Sequence, residues 1–261
     1  MTPVNAPQGV APRPFYGEFA WAYDYLIERP VAGECSGMVA ALARRGIGPG
    51  ASLLDAGCGT GRYAVELGFV VTGIDRSPAL LAVALRRPVD ASARVRFGSG
   101  DLLALPAGAG FDAIVCRGVL NDLVETAERA AVFAAFGRAL RPGGAVLFDV
   151  RDWDASMAGK TAQPVSERRA ATPRGRLVFR SVTRLDPATR RLLIAERHTL
   201  TTESGETTAS HDFVMRCWSR GELDDLLRAA GFEAMEYAGT YEGAPLGQGD
   251  RIVVAASLGA R

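Results

Sequence analysis

Short apolar runs alternate with helix-like stretches between residues 50 and 150 of the chain. Runs of leucine, valine and isoleucine predict strands. The predicted strands are 52–55, 69–75, 95–101, 111–116 and 145–150. Among the stretches between them, Ser77 and Pro78 begin a helix that runs through Leu85, with serine as N-cap and proline in the first turn. A second, amphipathic helix spans 125–140. This alternation predicts a doubly wound α/β sheet.

The pattern changes after residue 150, where strand-like runs follow one another without helices between them. These runs are 177–185, 192–201 and 207–217, and the segments that join them favour turns. We therefore expect a small antiparallel β insertion over 155–217. The remainder is predicted as a helix over 220–230, capped by Ser219 and ended by Gly231, followed by strands over 232–241 and 251–257.

The first 50 residues differ from both of these parts. Residues 1–14 are rich in proline and small side chains, so we expect them to be disordered. Residues 15–26 are densely aromatic and predict one or two short helices, and 39–45 continue the helical pattern up to Gly46. The sequence Gly48-Pro49-Gly50 then interrupts the chain before the first strand.

Composition excludes several classes of protein. The 261 residues are 48% hydrophobic and 23% charged, which fits one large α/β domain or a core domain with an insertion. Thirty basic residues against 29 acidic ones give a net charge of +1, which argues against a nucleic-acid partner. The four cysteines form no C-x-x-C pair and there are only two histidines, so we expect no metal site and no disulfide framework.

Targeting signals are missing from the sequence. The N-terminus has no signal-peptide pattern, and no apolar run reaches the roughly 18 residues that a membrane span needs. We therefore expect a cytoplasmic protein without membrane association. The abundance of alanine, arginine and glycine is associated with high-GC bacteria, in which related enzymes often serve secondary metabolism.

The chemistry of the chain is concentrated where the first strand ends, in the sequence Leu53-Leu54-Asp55-Ala56-Gly57-Cys58-Gly59-Thr60-Gly61-Arg62. Glycines let a backbone turn tightly and approach a ligand closely. Asp75, at the tip of the next strand, is placed to accept two hydrogen bonds from a ribose diol. The dinucleotide fingerprint G-x-G-x-x-G would need a glycine where Arg62 stands, so the spacing opposes an NAD site.

The motif D-A-G-C-G-T-G-R resembles motif I of the class I S-adenosylmethionine (SAM) dependent methyltransferases. Three further segments are similar to later motifs of that family: F-G-S-G-D-L at 97–102, F-D-A-I-V-C-R-G at 111–118 and L-R-P-G-G at 140–144. The resemblance implies a Rossmann-like doubly wound sheet of seven strands with the last strand antiparallel. It implies SAM as cofactor and S-adenosylhomocysteine as its product.

The resemblance also assigns cofactor contacts. Asp75 would bind the ribose, Asp101 the adenine amino group, and the backbone of Leu102 the ring, while the glycine loop would underlie the amino acid part of the cofactor. Asp75 and Asp101 could instead cap local turns, and Cys58 could be a small packed residue. The full set of predicted cofactor-binding residues is Tyr16, Asp55, Gly57, Cys58, Gly59, Gly61, Asp75, Arg76, Asp101, Leu102, Arg117 and Gly118.

The acceptor is expected to be a small molecule. The Asn/Asp-Pro-Pro-aromatic motif of enzymes that methylate nucleic-acid bases or glutamine amides is absent after the fourth strand. Arg117-Gly118 and residues 148–153 are similar to the glycine and amino-sugar N-methyltransferases, which implies N-methylation. C-methylation of an indole or alkaloid-type acceptor and a non-catalytic SAM-binding protein stay open as alternatives.

The predicted elements divide the chain into a helical N-terminal segment at 15–50, a SAM-binding core at 51–154, the β insertion at 155–217 and a C-terminal part of the core at 218–261. The subgroup resemblance implies that the N-terminal segment and the insertion form a lid over the site. The insertion would either close the pocket or form a homodimer interface. Candidate catalytic residues are Tyr23, Asp24, Tyr25 and His211, and candidate substrate-binding residues are Asn121, Arg151 and Trp153. Each has a plainer alternative, such as core packing, a surface position or an internal ion pair.

Overall fold

A computed structural model describes residues 13–90 and 93–259 of the chain. Within them the chain forms six α-helices and eleven strands. The helices are α1 Tyr23–Leu26, α2 Val31–Ala43, α3 Pro78–Ala84, α4 Thr126–Ala139, α5 Trp153–Ala162 and α6 Arg220–Ala229. The strands are β1 Ser52–Ala56, β2 Val70–Asp75, β3 Arg94–Ser99, β4 Phe111–Cys116, β5 Leu140–Arg151, β6 Val165–Thr172, β7 Gly175–Asp186, β8 Arg191–Thr202, β9 Gly205–Arg216, β10 Phe232–Ala238 and β11 Arg251–Leu258. None of the helices in these two ranges is long and apolar enough to cross a membrane.

Seven strands form the main sheet, in the order β10-β11-β5-β4-β1-β2-β3. Strands β1 to β5 are mutually parallel where they pair, and β11 is antiparallel to both β5 and β10. This confirms the predicted Rossmann-like sheet with an antiparallel last strand. One face is covered by α4 and α6 and the other by α2, so the central strands are buried on both sides.

The carboxyl ends of the parallel strands meet at one edge of this sheet, where the chain leaves β1 for the glycine loop. In α/β sheets ligands bind at this edge, where neighbouring strand connections diverge. Here β1 lies between β4 and β2, and the loops after all three come together. The predicted site therefore falls where the topology places one.

A second, antiparallel sheet follows α5, in the order β6-β7-β8-β9. Three of its strands were predicted, but α5 and β6 were not. The β6 sequence V-S-E-R-R-A-A-T is mostly polar and has no clear alternation, because only its pairing with β7 makes it a strand. Helix α5 had a detectable signal, since Asp152 caps it by accepting a hydrogen bond from Ala155 N at 2.8 Å.

The N-terminal segment packs onto this second sheet. Phe15, Phe19 and Leu26 share a buried cluster with Leu177 and Phe179 of β7. Of the segment 1–14 that was predicted to be disordered, residues 1–12 lie outside the described residues, and Pro14 begins a short 3-10 turn. The segment is also fastened to the main sheet, because Ser77 Oγ donates to the Tyr16 carbonyl at 2.7 Å. It therefore lies between the two sheets.

Candidate active site

The glycine loop is pressed against the segment that follows β4. Gly57 has a φ of +82°, and a Cβ there would stand 2.4 Å from Cγ2 of Val119. The amides of Gly57 and Cys58 both donate to the Ile74 carbonyl, at 2.8 and 2.9 Å. The end of β2 thus fixes the loop, and only glycine fits at its first position.

Asp75 organises the open side of this loop. Its carboxylate accepts from Gly59 N at 2.9 Å and from Ser77 N at 2.8 Å, one amide on each oxygen. Burial raises the pKa of Asp75, and these amides counteract part of that rise. At Gly59 a Cβ would have no heavy atom of the described chain within 4 Å. Each carboxylate oxygen can accept a further hydrogen bond, so Asp75 has the acceptors that a diol needs.

Asp55 lies deeper under the loop and is only 2% exposed. Within the described residues its Oδ2 has no hydrogen-bond partner. Burial, followed by the nearby charge of Asp75, raises the pKa of Asp55 to about 7. A buried acceptor without a donor is uncommon and needs a physical explanation. An ammonium group above the loop would supply that donor.

Two other small residues of the loop, Gly61 and Cys58, contribute to packing. A Cβ on Gly61 would meet the Phe97 ring at 2.6 Å, so this glycine lets the loop and β3 approach each other. Cys58 is buried, and burial raises the pKa of its thiol, which makes it a packed side chain and a poor nucleophile.

The loop after β3 carries the predicted adenine contacts. Asp101 caps the 3-10 turn Leu102–Ala104 by accepting from Leu103 N at 2.9 Å. Its other oxygen lies 3.9 Å from Nε of Arg76, whose side chain is exposed. Leu102 itself is buried in the core. The capping alternative for Asp101 is therefore observed, and one of its oxygens has no hydrogen bond within the described chain.

Arg117 is committed to an internal pair. Its guanidinium donates to both oxygens of Glu34, at 2.6 and 2.8 Å. Burial raises the pKa of Glu34, but hydrogen bonds from Arg117 and Tyr63 outweigh burial and lower it. The next amide, of Gly118, donates to Oδ1 of Asp149 at 2.6 Å. This pair therefore positions the chain after β4, and the predicted cofactor contact of Arg117 stays a prediction.

Arg29 is a candidate cofactor-binding residue that the sequence did not indicate. Within the described residues its guanidinium makes no hydrogen bond or ion pair, and its Nε is buried. Burial lowers the pKa of Arg29, and the neighbouring cations Arg117 and Arg251 lower it further. Glu34 and Asp250 lie close enough to interact with its charge but are not paired with it, and a half-buried arginine with unused N–H groups is suited to bind a carboxylate. The local sequence Glu28-Arg29-Pro30 gave no signal for this, because the arrangement arises from three distant segments.

The candidate catalytic residues of α1 mainly make contacts within the protein or are exposed. Asp24 accepts from Thr60 Oγ1 at 2.8 Å and pairs with Arg87, which ties α1 to the glycine loop. Tyr25 is 44% exposed. The Tyr23 ring packs edge-on against Phe15, with centroids 5.3 Å apart. Their predicted catalytic parts stay predictions, and the contacts described here correspond to the plainer alternatives.

His211 lies on β9 on the same face as Phe213, as the alternation predicted, with ring centroids 6.2 Å apart. It stands opposite Glu196 of β8 in the register of the second sheet. Arg13 lies over the Phe213 ring at 3.6 Å and pairs with Glu196 at 3.1 Å. This face of the second sheet therefore contacts the N-terminal segment beside the site.

The three candidate substrate-binding residues all have internal partners. Asn121 is 2% exposed, donates to the Arg216 carbonyl at 2.7 Å and accepts from Arg151 N at 3.0 Å. The Arg151 guanidinium pairs with Asp250, and Trp153 packs in a small cluster with Leu192 and Cys217. Each residue therefore has a structural role, and the predicted contacts with substrate stay predictions.

The described residues contain no cluster of three or more histidine, cysteine or acidic side chains arranged to hold a metal ion. The main sheet and the glycine loop together have a Rossmann-like fold. Residues 53–144 match a family described as "Methyltransferase domain". This part of the chain is therefore similar to methyltransferase domains, in agreement with the resemblance found in the sequence.

Individual proteins are also similar to the chain. A putative methyltransferase of Geobacillus sp. (strain WCH70) is 34% identical over 140 residues, which cover 52% of this chain. The chain spans 57% of the length of that relative. A SAM-dependent methyltransferase structure from Clostridium acetobutylicum has a TM-score of 0.78 at 16% identity and covers 94% of this chain and 99% of its own. The sugar N-methyltransferase KedS8 of Streptoalloteichus sp. has a TM-score of 0.73 at 21% identity and covers 99% and 98%.

Proposed function

We propose that the protein transfers a methyl group from SAM to the nitrogen of a small-molecule amine. The observation that carries this proposal is the arrangement of Asp75, whose carboxylate holds the Gly59 amide and keeps acceptor capacity toward the open side of the loop. A carboxylate in this place is complementary to a ribose diol.

The charges of the site are complementary to the rest of the cofactor. Its amino acid part carries an ammonium and a carboxylate, for which Asp55 and Arg29 have the opposite charges and unused hydrogen-bonding atoms. Asp101 has an oxygen to accept from the adenine amino group. When bound, the cofactor supplies a methyl group already activated on a sulfonium sulfur, so the protein needs chiefly to orient the acceptor and exclude water.

The surroundings of the site favour a small acceptor. The N-terminal segment and the second sheet cover the edge of the main sheet, and their contact through Arg13 and Glu196 closes one side. A neighbour of similar fold is named a sugar N-methyltransferase, which supports nitrogen as the methylated atom. A covered site of this kind admits small molecules more readily than a folded nucleic acid.

Turnover with methyl-labelled SAM tests the proposal. Purified protein is incubated with a panel of amines, amino sugars, indoles and phenols, and the labelled product is located by mass spectrometry. We expect label on the nitrogen of at least one amine, loss of transfer in Asp75→Ala, and normal transfer in Asp186→Ala. Asp186 is a matched control because it lies in an exposed hairpin turn, where it bonds only to its own turn.

Two results would contradict the proposal. Label on carbon or oxygen would refute nitrogen as the acceptor atom and support the C-methylation alternative or O-methylation. Normal binding of S-adenosylhomocysteine without transfer to any member of the panel would favour a non-catalytic SAM-binding protein.

A further inference from the structure

Tyr16 bridges two loops at the carboxyl edge of the main sheet. Its carbonyl accepts from Ser77 Oγ at 2.7 Å, and its phenol donates to Oδ2 of Asp122 at 3.1 Å. Ser77 follows β2 and Asp122 follows β4, with β1 between them. Neighbouring strands lie about 4.8 Å apart, so the bridge spans about 10 Å. Tyr16 therefore crosses the end of β1, where the glycine loop begins.

The second oxygen of Asp122 is unused. Within the described residues Oδ1 is buried and has no hydrogen-bond partner. The charged and titratable groups that act on Asp122 are Arg13, Tyr16, Glu196 and Arg151. Arg13 donates to Tyr16 and Glu196 and not to Asp122, so none of these groups satisfies Oδ1. Leaving a buried carboxylate oxygen unpaired is costly unless a ligand supplies a donor.

The local charge selects the kind of donor. Two arginines, Arg13 and Arg151, act on Asp122, but each forms its ion pair with another acid, Arg13 with Glu196 and Arg151 with Asp250, so Asp122 is left without an ion-pair partner of its own. Burial raises the pKa of Asp122 above its ordinary value. A carboxylate with a raised pKa in a partly closed site is suited to bind a cationic N–H group and to accept its proton.

Asp122 also stands on the correct side of the cofactor, an argument that rests on the proposed function. The ribose belongs at Asp75 after β2, and the amino acid part belongs over the glycine loop after β1. Because the sulfur joins these two parts of the cofactor, a cofactor bound in this way would have its methyl group near the bridge. Val119, three residues before Asp122, already contacts the loop at Gly57.

We propose that Asp122 binds the N–H of an amine acceptor through Oδ1 and takes its proton, while Tyr16 holds the other oxygen in place. The substrate class is then a primary or secondary amine that enters as an ammonium. One N–H bond breaks and its proton moves to Asp122. The nitrogen lone pair forms the new bond to the methyl carbon as the carbon–sulfur pair leaves with the sulfur.

Binding to the protein loaded with S-adenosylhomocysteine tests the assignment without turnover. The probes are benzylamine, which is protonated at neutral pH, benzyltrimethylammonium, which has the charge but no N–H, and benzyl alcohol. We expect benzylamine to bind at least about tenfold more tightly than the other two, the difference made by a charged hydrogen bond. This comparison uses the unaltered protein and does not depend on a variant that folds.

Asp122→Asn then tests the residue. We expect about a tenfold loss of benzylamine affinity, because an amide NH2 or a neutral oxygen replaces the carboxylate. The matched control Glu125→Gln removes a charge from the exposed residue three positions later and should leave benzylamine binding unchanged. S-adenosylhomocysteine should bind the protein and both variants equally.

The outcomes separate this inference from the proposed function. Failure of the unaltered protein to bind S-adenosylhomocysteine would overturn the proposed function. Normal S-adenosylhomocysteine binding with no benzylamine binding, with equal binding of benzyltrimethylammonium, or with unchanged benzylamine binding in Asp122→Asn would overturn the part assigned to Asp122 alone.

Discussion

Substitution of Asp75 should weaken cofactor binding by an amount that the structure allows us to work out. The carboxylate already accepts one amide on each oxygen, and each oxygen retains capacity for one ribose hydroxyl. A hydrogen bond to a charged group contributes about 1.5 to 3 kcal/mol. Loss of two such bonds in Asp75→Ala should cost at least about 3 kcal/mol, or more than a hundredfold in affinity. Asp75→Asn keeps one acceptor and should lose about half of that free energy.

Calorimetric titration with S-adenosylhomocysteine measures the loss, and a ligand-side control locates it. In the unaltered protein adenosine should bind about tenfold more tightly than 2′-deoxyadenosine, because the hydroxyl donates to Asp75. In Asp75→Ala the two nucleosides should bind alike. If Asp75→Ala still distinguishes the two nucleosides as well as the unaltered protein does, the ribose is not held by Asp75 and the placement of the cofactor is wrong.

Two further predictions concern stability, measured by urea unfolding. Gly57→Ala should lower the free energy of unfolding by about 2 kcal/mol, because φ is positive and the Cβ would clash with Val119. The control Gly159→Ala lies in open space on α5 and should raise the free energy of unfolding by up to about 1 kcal/mol. An equal effect of both substitutions would contradict the close approach of Gly57 to Val119. His198 is fully buried, and burial, then Arg13, lowers its pKa from 6.5 to about 4. As the pH falls, the unfolded chain takes up a proton on this histidine at a higher pH than the folded protein does. The free energy of unfolding should therefore have its full value above pH 6.5 and fall by up to about 3 kcal/mol as the pH drops through 4. His198→Phe should remove that fall, and an unchanged pH profile in the variant would refute the assignment.

Most of the main sheet could be predicted because its signals are local. The strand β4 was predicted with the observed ends, and Ser77 and Ser219 cap α3 and α6 as expected. Strand β6 could not be predicted, because its polar sequence becomes a strand only through its pairing with β7. The predicted strand over 232–241 was also too long at its C-terminal end, since β10 stops at Ala238.

The site divides in the same way. The glycine loop and Asp75 follow from spacing along a few residues, so the sequence could indicate them. The unpaired Arg29 and the bridge from Tyr16 to Asp122 could not be predicted, because each depends on segments far apart in the chain. The internal contacts of Asn121 could not be predicted either, because both ends of its amide bond to backbone segments far away in the chain.

Calorimetric titration of the purified protein with S-adenosylhomocysteine, with NAD as the control ligand, tests the central claim most directly. The account predicts binding of S-adenosylhomocysteine in the micromolar range and no measurable binding of NAD. Absence of S-adenosylhomocysteine binding, or tighter binding of NAD, would contradict the assignment of the glycine loop and Asp75 to a SAM site.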